Sequence, residues 1–188
     1  MLSLFPPENI YPPGFRYEPE FITKEEEREL VAIIQTISLH PMQFQGYEAK
    51  RKVASFGYDW SFEKRMLSKG KEIPPTFYWL IEKLAQKIGV KEENIAELLV
   101  TEYPPGSVIN WHRDAPPFAL IAGISLHSDC TFKLRPHEKE KQTRKATISF
   151  TVERRSLYVM EREARIEWQH SIAPVNHVRY SITVRTLK

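Results

Sequence analysis

Two histidines and one aspartate in the second half of the chain are residue types that bind divalent metal ions. His112 and Asp114 are separated by one residue, and His170 opens the segment that leads to the last alternating run. In an extended chain, residues two apart point to the same side, so His112 and Asp114 can offer a nitrogen and an oxygen to one ion. Two histidines and one carboxylate with open positions form the facial triad of non-haem Fe(II) oxygenases. The alternative is that the histidines are unrelated and are satisfied by hydrogen bonds at strand ends.

Two arginines near the end of the chain suggest a second binding function. Arg179 and Arg185 are six residues apart, so in a strand they share one face with Ser181 and Thr183, while the other face is apolar. Arginines on the inner side of a barrel are costly without anionic partners, and a guanidinium binds a carboxylate in a bidentate fork. The pattern therefore favours a dicarboxylate co-substrate. An edge strand with a solvated polar face is the alternative, but it leaves the coincidence with the metal residues unexplained.

The first half of the chain predicts two helices. Thr23 and Glu26 have the spacing of a capping box, and apolar residues then recur at helical spacing, which predicts a helix over about 24–37. A second helix is predicted to start after Pro75 and to end at Gly89, because glycine is the usual residue after a helix C-terminus. These helices precede the residues that carry the chemistry.

From about residue 96 the hydrophobic period changes from helical to two, which predicts short strands of a β-sandwich or barrel. The clearest alternating runs cover 130–135, 147–152 and 178–185. The charged stretch 135–145 predicts an exposed hairpin loop, and the polar, aromatic segment 46–72 predicts strands and loops. Residues 1–20, which are rich in proline, are expected to lie extended over the surface. The sequence therefore predicts one α+β domain with a mainly β core.

The composition is that of a folded protein rather than a disordered one. The chain has 188 residues, of which 41% are hydrophobic and 27% charged, and this length can bury a substantial core. Since no apolar run approaches the roughly 20 residues that cross a bilayer, and the N-terminus does not read as a signal peptide, we expect a cytoplasmic protein. Cys130 is the only cysteine, which fits a reducing compartment, and it is predicted to be a small core residue. A net charge of +3 permits a nucleic-acid partner without arguing for one.

Six short stretches of the second half match, in order, the motifs of one known family. They are Leu99–Gly106, His112–Asp114, Gly123–Leu126, Arg155–Met160, Trp168–Ile172 and Arg179–Arg185. Through them the chain resembles the AlkB-like 2-oxoglutarate- and Fe(II)-dependent dioxygenases, for which the arginine pair of the last stretch is characteristic. The resemblance implies a double-stranded β-helix, or jelly roll, with N-terminal helices. It implies a single domain over 1–188, in which 1–92 form an N-terminal extension with helices and a substrate lid and 93–188 form the catalytic core.

The resemblance also implies a role for each matching residue. His112, Asp114 and His170 would be the Fe(II) ligands and the catalytic residues, and O2 would be the oxidant. The co-substrate 2-oxoglutarate would be held by Tyr103, Arg179, Arg185, Thr101 and Ser181. Within that set, the distal carboxylate would lie at the tyrosine and the first arginine, and the second arginine would lie near the metal-bound end. The family pattern often has asparagine at positions 101 and 181, where a hydroxyl can still donate one hydrogen bond.

In nucleic-acid members of this family, the N-terminal half forms a lid that receives a flipped-out base, which stacks on aromatic rings. The matching region of this chain contains Arg51, Phe56, Tyr58 and Trp60, which we take as candidate substrate-binding residues. The alternative is that these aromatic residues pack a hairpin onto the barrel. The basic loop 135–145 is either a phosphate contact or simply solvated.

The leading hypothesis is therefore oxidative demethylation or dealkylation of N-alkylated bases in DNA or RNA, as in DNA repair, with release of formaldehyde and succinate. The protein would bind nucleic acid as a monomer and would not associate with a membrane. A second hypothesis keeps the chemistry but places it on a protein side chain or a tRNA modification. A third, from another class, is a catalytically silent β-sandwich that binds a ligand or partner, against which the complete set of metal and arginine residues argues.

Overall fold

The computed structural model of the protein describes residues 10–44, 46–61 and 63–188. Its β-strands form two antiparallel sheets. The larger sheet has the strand order β1-β10-β7-β12-β5-β3-β2, with β4 paired to β3 at one side, and the smaller has the order β6-β11-β8-β9. The strands of the larger sheet are β1 Phe15–Glu18, β2 His40–Phe44, β3 Tyr47–Ser61, β4 Met66–Lys69, β5 Ile95–Tyr103, β7 Phe118–Leu126, β10 Leu157–Met160 and β12 Arg179–Leu187. Those of the smaller sheet are β6 Ile109–His112, β8 Cys130–Pro136, β9 Ile148–Val152 and β11 Trp168–Ile172.

Three α-helices accompany the sheets: α1 Lys24–Thr36, α2 Tyr78–Ile88 and α3 Arg162–Ile166. The first begins at the predicted capping box, since the Glu26 amide donates to the Thr23 hydroxyl (3.1 Å) and the Thr23 amide donates to the Glu26 carboxylate (2.8 Å). The second ends at Gly89, whose φ of 74° is left-handed and therefore suits glycine. Both helices predicted from the sequence are thus confirmed.

Two hydrophobic clusters divide the interior. The helix-side cluster packs the buried faces of α1 and α2, for example Leu30 and Leu84, against strands of the larger sheet such as β12 with Ile182. The site-side cluster lies between the two sheets and contains Phe118 of the larger sheet and Phe132 of the smaller. Because strands of both sheets contribute to one core, the molecule is a jelly roll with helices on one outer face, as the sequence predicted.

The N-terminal segment that contains β1 is part of the sheet and the core, which differs from the prediction. Residues 1–9 lie outside the described part of the chain, and β1 is extended, as expected. It pairs antiparallel with β10, however, and the Phe15 side chain is buried in the site-side cluster. This strand is therefore an edge of the larger sheet and part of the core, rather than a segment that lies over the surface.

Two smaller predictions concern the minor sheet. Strands β8 and β9 pair antiparallel, and the chain between them, including Lys139–Lys141, is exposed, which confirms the hairpin loop. Cys130 is buried in the site-side cluster, as expected of a core residue. Among residues 10–44, 46–61 and 63–188, no helix is long and apolar enough to cross a membrane.

Candidate active site

The three predicted metal ligands meet at one end of the smaller sheet. Strand β6 ends at His112, strand β11 carries His170 in register with it, and Asp114 follows β6 after one residue. One ligand atom from each residue lies within 4.8 Å of the others. The two imidazole rings are 4.2 Å apart between centroids, and His170 Nε2 is 3.6 Å from Asp114 Oδ2. Neighbouring strands in register thus bring together residues that are far apart in sequence.

The histidines are oriented by their surroundings. His112 Nδ1 lies 2.9 Å from the carbonyl oxygen of Asn110, and because a carbonyl only accepts, Nδ1 is the donor. In the neutral imidazole this leaves the other ring nitrogen, Nε2, as the atom that can bind a metal ion. His170 stacks on Phe132, with a centroid distance of 5.5 Å and an interplanar angle of 3°. Both rings therefore have a fixed orientation.

The electrostatics of the site favour the charge states that bind a cation. Burial alone raises the pKa of Asp114, but the charge of Arg185, followed by those of the two histidines and Arg165, outweighs burial and holds the pKa well below its usual range. Burial, followed by the neighbouring His112, lowers the pKa of His170 to about 3, against the attraction of Asp114. At neutral pH the site therefore offers an ionised carboxylate and a neutral imidazole, the forms that ligate metals. Asp114 Oδ2 is buried and has no hydrogen-bond partner among the described residues, which suits an oxygen that binds a cation.

Besides Arg185, a second arginine, Arg165, supports the backbone at Asp114, and the sequence analysis missed it. Arg165 of α3 is buried, and its Nη2 donates to the carbonyl oxygen of Asp114 (3.0 Å) and to that of Ala115. In the opposite direction, Arg113 Nη1 donates to the carbonyl oxygen of Ile166 (2.6 Å). Helix α3 and the segment that carries the carboxylate are thus held to each other from both sides. A five-residue helix offers no periodic pattern that could have predicted this.

Arg179 has the features of an anion-binding residue. It is 0% exposed, its Nε donates to Ser125 Oγ (2.9 Å), and its guanidinium carbon lies 4.7 Å from the centre of the Tyr103 ring. Neither Nη1 nor Nη2 has a partner among the described residues. A buried guanidinium with both terminal nitrogens unpaired is costly unless a ligand accepts from them. A carboxylate is the group that matches this fork in a bidentate way.

The other residues predicted to hold the co-substrate share this inner face of the larger sheet. Strand β12 pairs with β5, so that Arg179 lies opposite Tyr103, and Ser181 lies opposite Thr101. The hydroxyls of Tyr103 and Ser181 are 3.4 Å apart, and all of these side chains are buried. The structure therefore brings Tyr103, Thr101, Arg179 and Ser181 together on one surface.

Arg185 lies at the opposite end of the same face and contacts the metal residues. Its Nη2 donates to Asp114 Oδ1 and its Nη1 donates to Glu97 Oε2, both at 2.8 Å. Burial lowers the pKa of Arg185, but the charges of Glu97 and Asp114 outweigh it and raise the pKa further above its ordinary value. Glu97 was missed in the sequence analysis. The sequence signal for it was a charged residue on the strand face that also carries Thr101 and Tyr103.

The four candidate substrate residues are placed differently from one another. Phe56 is buried in the helix-side cluster, 6.5 Å from the Phe77 ring between centroids. This corrects the prediction that Phe56 contacts substrate, because the side chain faces away from the metal residues. Trp60 packs against the site-side cluster, and Tyr58 is 37% exposed.

Gly57 explains the difference. Its φ is +86°, and a Cβ atom there would lie 2.2 Å from the carbonyl oxygen of Ala96. The pairing of β3 with β5 stops at this residue, and the pairing of β3 with β4 begins at the next, Tyr58. The chain therefore leaves β5 at Gly57, and the β3–β4 hairpin turns towards the site-side cluster.

Arg51 lies beside the co-substrate residues. The register of β3 and β5 pairs Lys52 with Glu102, which places Arg51 next to Tyr103 on the neighbouring strand. Arg51 is half-buried, and burial lowers its pKa, with Tyr103 opposing the shift. On the outer face of the smaller sheet, Arg135 lies 4.3 Å from the ring centre of Trp111 at the base of the basic loop.

Comparisons with known proteins agree with this geometry. The family described as the 2OG-Fe(II) oxygenase superfamily matches residues 14–185. The chain is 28% identical over 169 residues to the mouse tRNA (carboxymethyluridine(34)-5-O)-methyltransferase ALKBH8, which covers 87% of this chain and 24% of that protein. It is 26% identical over 181 residues to the Arabidopsis thaliana alkylated DNA repair protein ALKBH8 homolog, which covers 85% of this chain and 51% of that one. The chain thus spans about a quarter to a half of these relatives.

Two solved structures share the fold. OsALKBH1 superposes with a TM-score of 0.73 at 13% identity, over 94% of this chain and 98% of that one. A Pseudomonas putida prolyl-4-hydroxylase superposes with a TM-score of 0.65 at 15% identity, over 93% of each chain. At these identities the likeness concerns the fold alone. The match over residues 14–185 identifies the chain as a member of the 2OG-Fe(II) oxygenase superfamily, an enzyme class that uses Fe(II), 2-oxoglutarate and O2, and within it the chain is similar to ALKBH8 proteins.

Proposed function

We propose that this enzyme oxidatively demethylates N-alkylated bases in DNA or RNA, as a cytoplasmic monomer. The observation that carries the proposal is the presence of buried atoms without hydrogen-bond partners at both ends of the inner face of β12. Within the described part of the chain, Asp114 Oδ2 has no hydrogen-bond partner at the metal end, and the Nη atoms of Arg179 have none at the other end. A cation and a dicarboxylate are the two ligands that complete these groups.

The metal would be held by His112, Asp114 and His170. Three protein ligands leave open positions for the co-substrate and oxygen, and the bound iron supplies the oxidising chemistry. The protein supplies geometry: the Asn110 carbonyl orients His112, Phe132 orients His170, and Arg185 occupies one carboxylate oxygen of Asp114.

The co-substrate would lie along the inner face of β12 and β5. Its distal carboxylate would accept from both Nη atoms of Arg179, with the Tyr103 hydroxyl beside them. Thr101 and Ser181 would line the middle of the face, where each hydroxyl can donate one hydrogen bond. Arg185 would lie near the metal-bound end. Burial of this face excludes water, which strengthens each of these contacts.

The reaction would consume one O2 and one 2-oxoglutarate for each methyl group. One oxygen atom enters succinate as 2-oxoglutarate loses CO2, and the other enters a C–H bond of the N-methyl group. The resulting N-hydroxymethyl group releases formaldehyde as its C–N bond breaks, and the base nitrogen keeps the proton of the hydroxyl. No further reductant is needed.

Substrate binding would involve the β3–β4 hairpin, which the family resemblance assigns to a lid. Tyr58 offers an exposed ring for stacking on a base, and Trp60 supports the hairpin against the site-side cluster. Arg51, next to Tyr103, would contribute positive charge at the end of the site. An ALKBH8-type relative that is named an alkylated DNA repair protein supports a base as substrate.

A second candidate function is oxidation of a tRNA modification by the same chemistry. The observation that favours it is the name of the mouse relative, a tRNA methyltransferase, of which this chain matches 24%. The same chemistry on a protein side chain remains a further alternative. The catalytic residues are compatible with all three substrates, so the three functions are distinguished by which substrate the enzyme oxidises.

The test begins with anaerobic reconstitution with Fe(II) and 2-oxoglutarate, followed by air and N-methylated DNA, RNA and tRNA substrates. Mass spectrometry would follow each substrate, and succinate would be measured in parallel. Loss of a methyl group coupled to succinate would support the dealkylase. Addition of a single oxygen to a tRNA nucleoside would support the second function, and succinate without change in any nucleic acid would exclude both.

The lid assignment has its own test. Replacing Tyr58 with Ala should raise the KM for a methylated oligonucleotide about tenfold, because stacking of a base on an aromatic ring contributes about 1–3 kcal/mol. Succinate formation without substrate should not change. Tyr78 of α2 is a matched control, since its ring is also exposed, at 55%, but belongs to another element. Equal effects of Y58A and Y78A would remove Tyr58 from the substrate site.

A further inference from the structure

Glu97 is a buried carboxylate whose position no catalytic step explains. It lies on the inner face of β5, opposite Arg185 of β12, and is 3% exposed. Its Oε2 accepts from Arg185 Nη1 (2.8 Å), and its Oε1 accepts from the Ser55 hydroxyl (2.9 Å). Both carboxylate oxygens therefore have a defined partner. It is not among the residues that would touch the metal or the co-substrate.

The contact matters because Arg185 is shared. One of its terminal nitrogens binds Glu97 and the other binds Asp114 Oδ1, while Asp114 Oδ2 is left without a partner. A guanidinium is planar and rigid, so fixing one edge fixes the other. If Arg185 rotated, it could cover both oxygens of Asp114 in a bidentate fork, and the ligand oxygen would be lost.

The charges lead to the same conclusion. Asp114 lies near two arginines, Arg185 at its carboxylate and Arg165 at its backbone. One aspartate beside two guanidinium groups leaves the local charge positive, which disfavours a divalent cation. Glu97 places a second buried carboxylate 2.8 Å from Arg185; burial raises the pKa of this carboxyl, and the charge and hydrogen bond of Arg185 oppose that rise.

We propose that Glu97 is a positioning residue that, through Arg185, holds Asp114 with one oxygen directed to the metal. The inference rests on the proposed assignment of Asp114 as a metal ligand. Such partners of metal ligands orient the ligands and set their affinity. Glu97 acts through Arg185 and does not touch the reacting atoms.

Ser55 connects this arrangement to the lid. It lies on β3, two residues before Gly57, where β3 leaves β5 and begins to pair with β4. Its hydroxyl is the donor that holds the second oxygen of Glu97. The strand that continues into the lid therefore contributes one hydrogen bond to the chain of contacts Ser55–Glu97–Arg185–Asp114. A shift of β3 at Ser55 would loosen Glu97, and through it Arg185.

The experiment measures Mn2+ binding by the full-length chain, with free Mn2+ counted by electron paramagnetic resonance. In Glu97→Gln the side chain keeps its shape and loses its charge, and the dissociation constant should rise about tenfold. Ser55→Ala should raise it about threefold, from loss of one hydrogen bond. Ser55→Thr keeps the hydroxyl and should restore the wild-type value. The KM for 2-oxoglutarate should stay within about twofold of wild type in E97Q, since Arg179 is untouched.

A merely structural role predicts a different result. Substitution of Glu97 would then lower the thermal midpoint. The Mn2+ affinity and the KM for 2-oxoglutarate would either both change or both stay as in the wild type. Wild-type Mn2+ affinity in E97Q would overturn the inference. Asp114→Asn, measured alongside, tests the site itself. If both E97Q and D114N bind Mn2+ as the wild type does, the assignment of the metal ligands is wrong. If only D114N loses Mn2+ binding, that assignment stands and only the role of Glu97 is wrong.

Discussion

Two buried charged clusters in this molecule differ in how completely their polar atoms are paired. At helix α1, Glu27 accepts from the His127 amide (2.8 Å) and from Arg154 Nη2 (2.6 Å), and forms a further ion pair with Arg155 at 3.6 Å. Between the sheets, the cluster around Asp114 contains several atoms without partners. Five of the seven buried side-chain atoms that lack a partner among the described residues belong to Asp114, Arg165, Arg179 and Arg185, so the deficit is concentrated at one place.

The difference separates a structural cluster from a binding site. Buried polar groups in folded proteins are nearly all hydrogen-bonded, because an unpaired one is costly. The Glu27 cluster obeys this rule by itself and ties α1 to loops that follow β7 and β9. At the other cluster, the proposed metal ion and co-substrate would supply partners for Asp114 Oδ2 and for the terminal nitrogens of Arg179. We therefore expect substitutions in the first to change stability, and substitutions in the second to change function.

Replacing Asp114 with Ala should have the largest effect. Loss of one of the three proposed ligands should abolish 2-oxoglutarate turnover, and His112→Ala should do the same, because two remaining ligands cannot hold the ion in the required geometry. Succinate formation and Mn2+ binding are the measurements, and a cooperative thermal transition would show that the fold is kept. Glu140→Ala, in the exposed loop, is the control and should behave as wild type. Full turnover in D114A would refute the site.

Replacing Arg179 with Met should have the next largest effect. The KM for 2-oxoglutarate should rise roughly 100-fold, since two hydrogen bonds between charged groups are lost. Stability in the absence of 2-oxoglutarate should not fall, because the substitution removes a buried charge whose terminal nitrogens are unpaired. Steady-state kinetics and urea unfolding test the two halves.

The effect of 2-oxoglutarate on thermal stability, compared between wild type and R179M, gives a second test of Arg179. Added 2-oxoglutarate should raise the thermal midpoint of the metal-loaded wild-type protein by mass action, and should not do so in R179M. Arg144→Met, in the exposed loop, should keep the wild-type response. An unchanged KM in R179M would mean that the arginine pairs with something other than the co-substrate.

The sequence predicted the open cluster better than the satisfied one. Arg179 and Arg185 share the inner face of β12, as strand alternation predicts for residues six apart, although the pairing of β12 shifts register after Arg185. Asp114 lies two residues beyond His112, the last residue of β6, and ligand atoms of His112, Asp114 and His170 lie within 4.8 Å of one another. Glu27 was not singled out, since its partners Arg154 and Arg155 come from a loop more than 100 residues away. A loop contact of that kind leaves no periodic signal.

Alternation also explains the residue that was assigned wrongly. Phe56, Tyr58 and Trp60 were together predicted as candidate substrate-binding residues, with packing of a hairpin onto the barrel as the alternative. The left-handed backbone at Gly57 breaks the alternation between Phe56 and Trp60. A glycine inside a strand pattern is a warning of such a break, but the sequence alone does not say where each side chain then points. The pairing of Glu97 with Arg185 depends on the register of β5 against β12, which the sequence alone does not show.

At the satisfied cluster, Glu27→Gln should lower the free energy of unfolding by about 2 kcal/mol, because hydrogen bonds to charged groups become ones to a neutral amide. Turnover per folded molecule should not change. Glu25→Gln, on an exposed part of the same helix, is the matched control and should change stability by less than about 0.5 kcal/mol. Urea unfolding gives the comparison. A loss of turnover in E27Q without loss of stability would contradict the division between the two clusters.

The pH dependence of the stability difference between wild type and E27Q should be the smallest effect. Burial alone raises the pKa of Glu27, but the hydrogen bonds from Arg154 and the His127 amide and the charges of Arg154 and Arg155 outweigh burial and lower it. A carboxyl whose pKa is lower in the folded state stabilises the fold above its unfolded pKa, and this contribution is lost as the pH falls through the folded value. The stability difference between wild type and E27Q should therefore be constant near neutrality and should shrink in acid.

Unfolding both proteins from about pH 7 to about pH 2.5 measures this directly. Asp114 also has a lowered pKa, but it is present in both proteins, so its contribution cancels in the difference. Once Glu27 is protonated, the wild type carries a neutral side chain of nearly the same shape as glutamine, and the two curves should converge. A difference that stays constant into the acid range would mean that packing of the side chain, rather than its charge, holds α1 to the arginines.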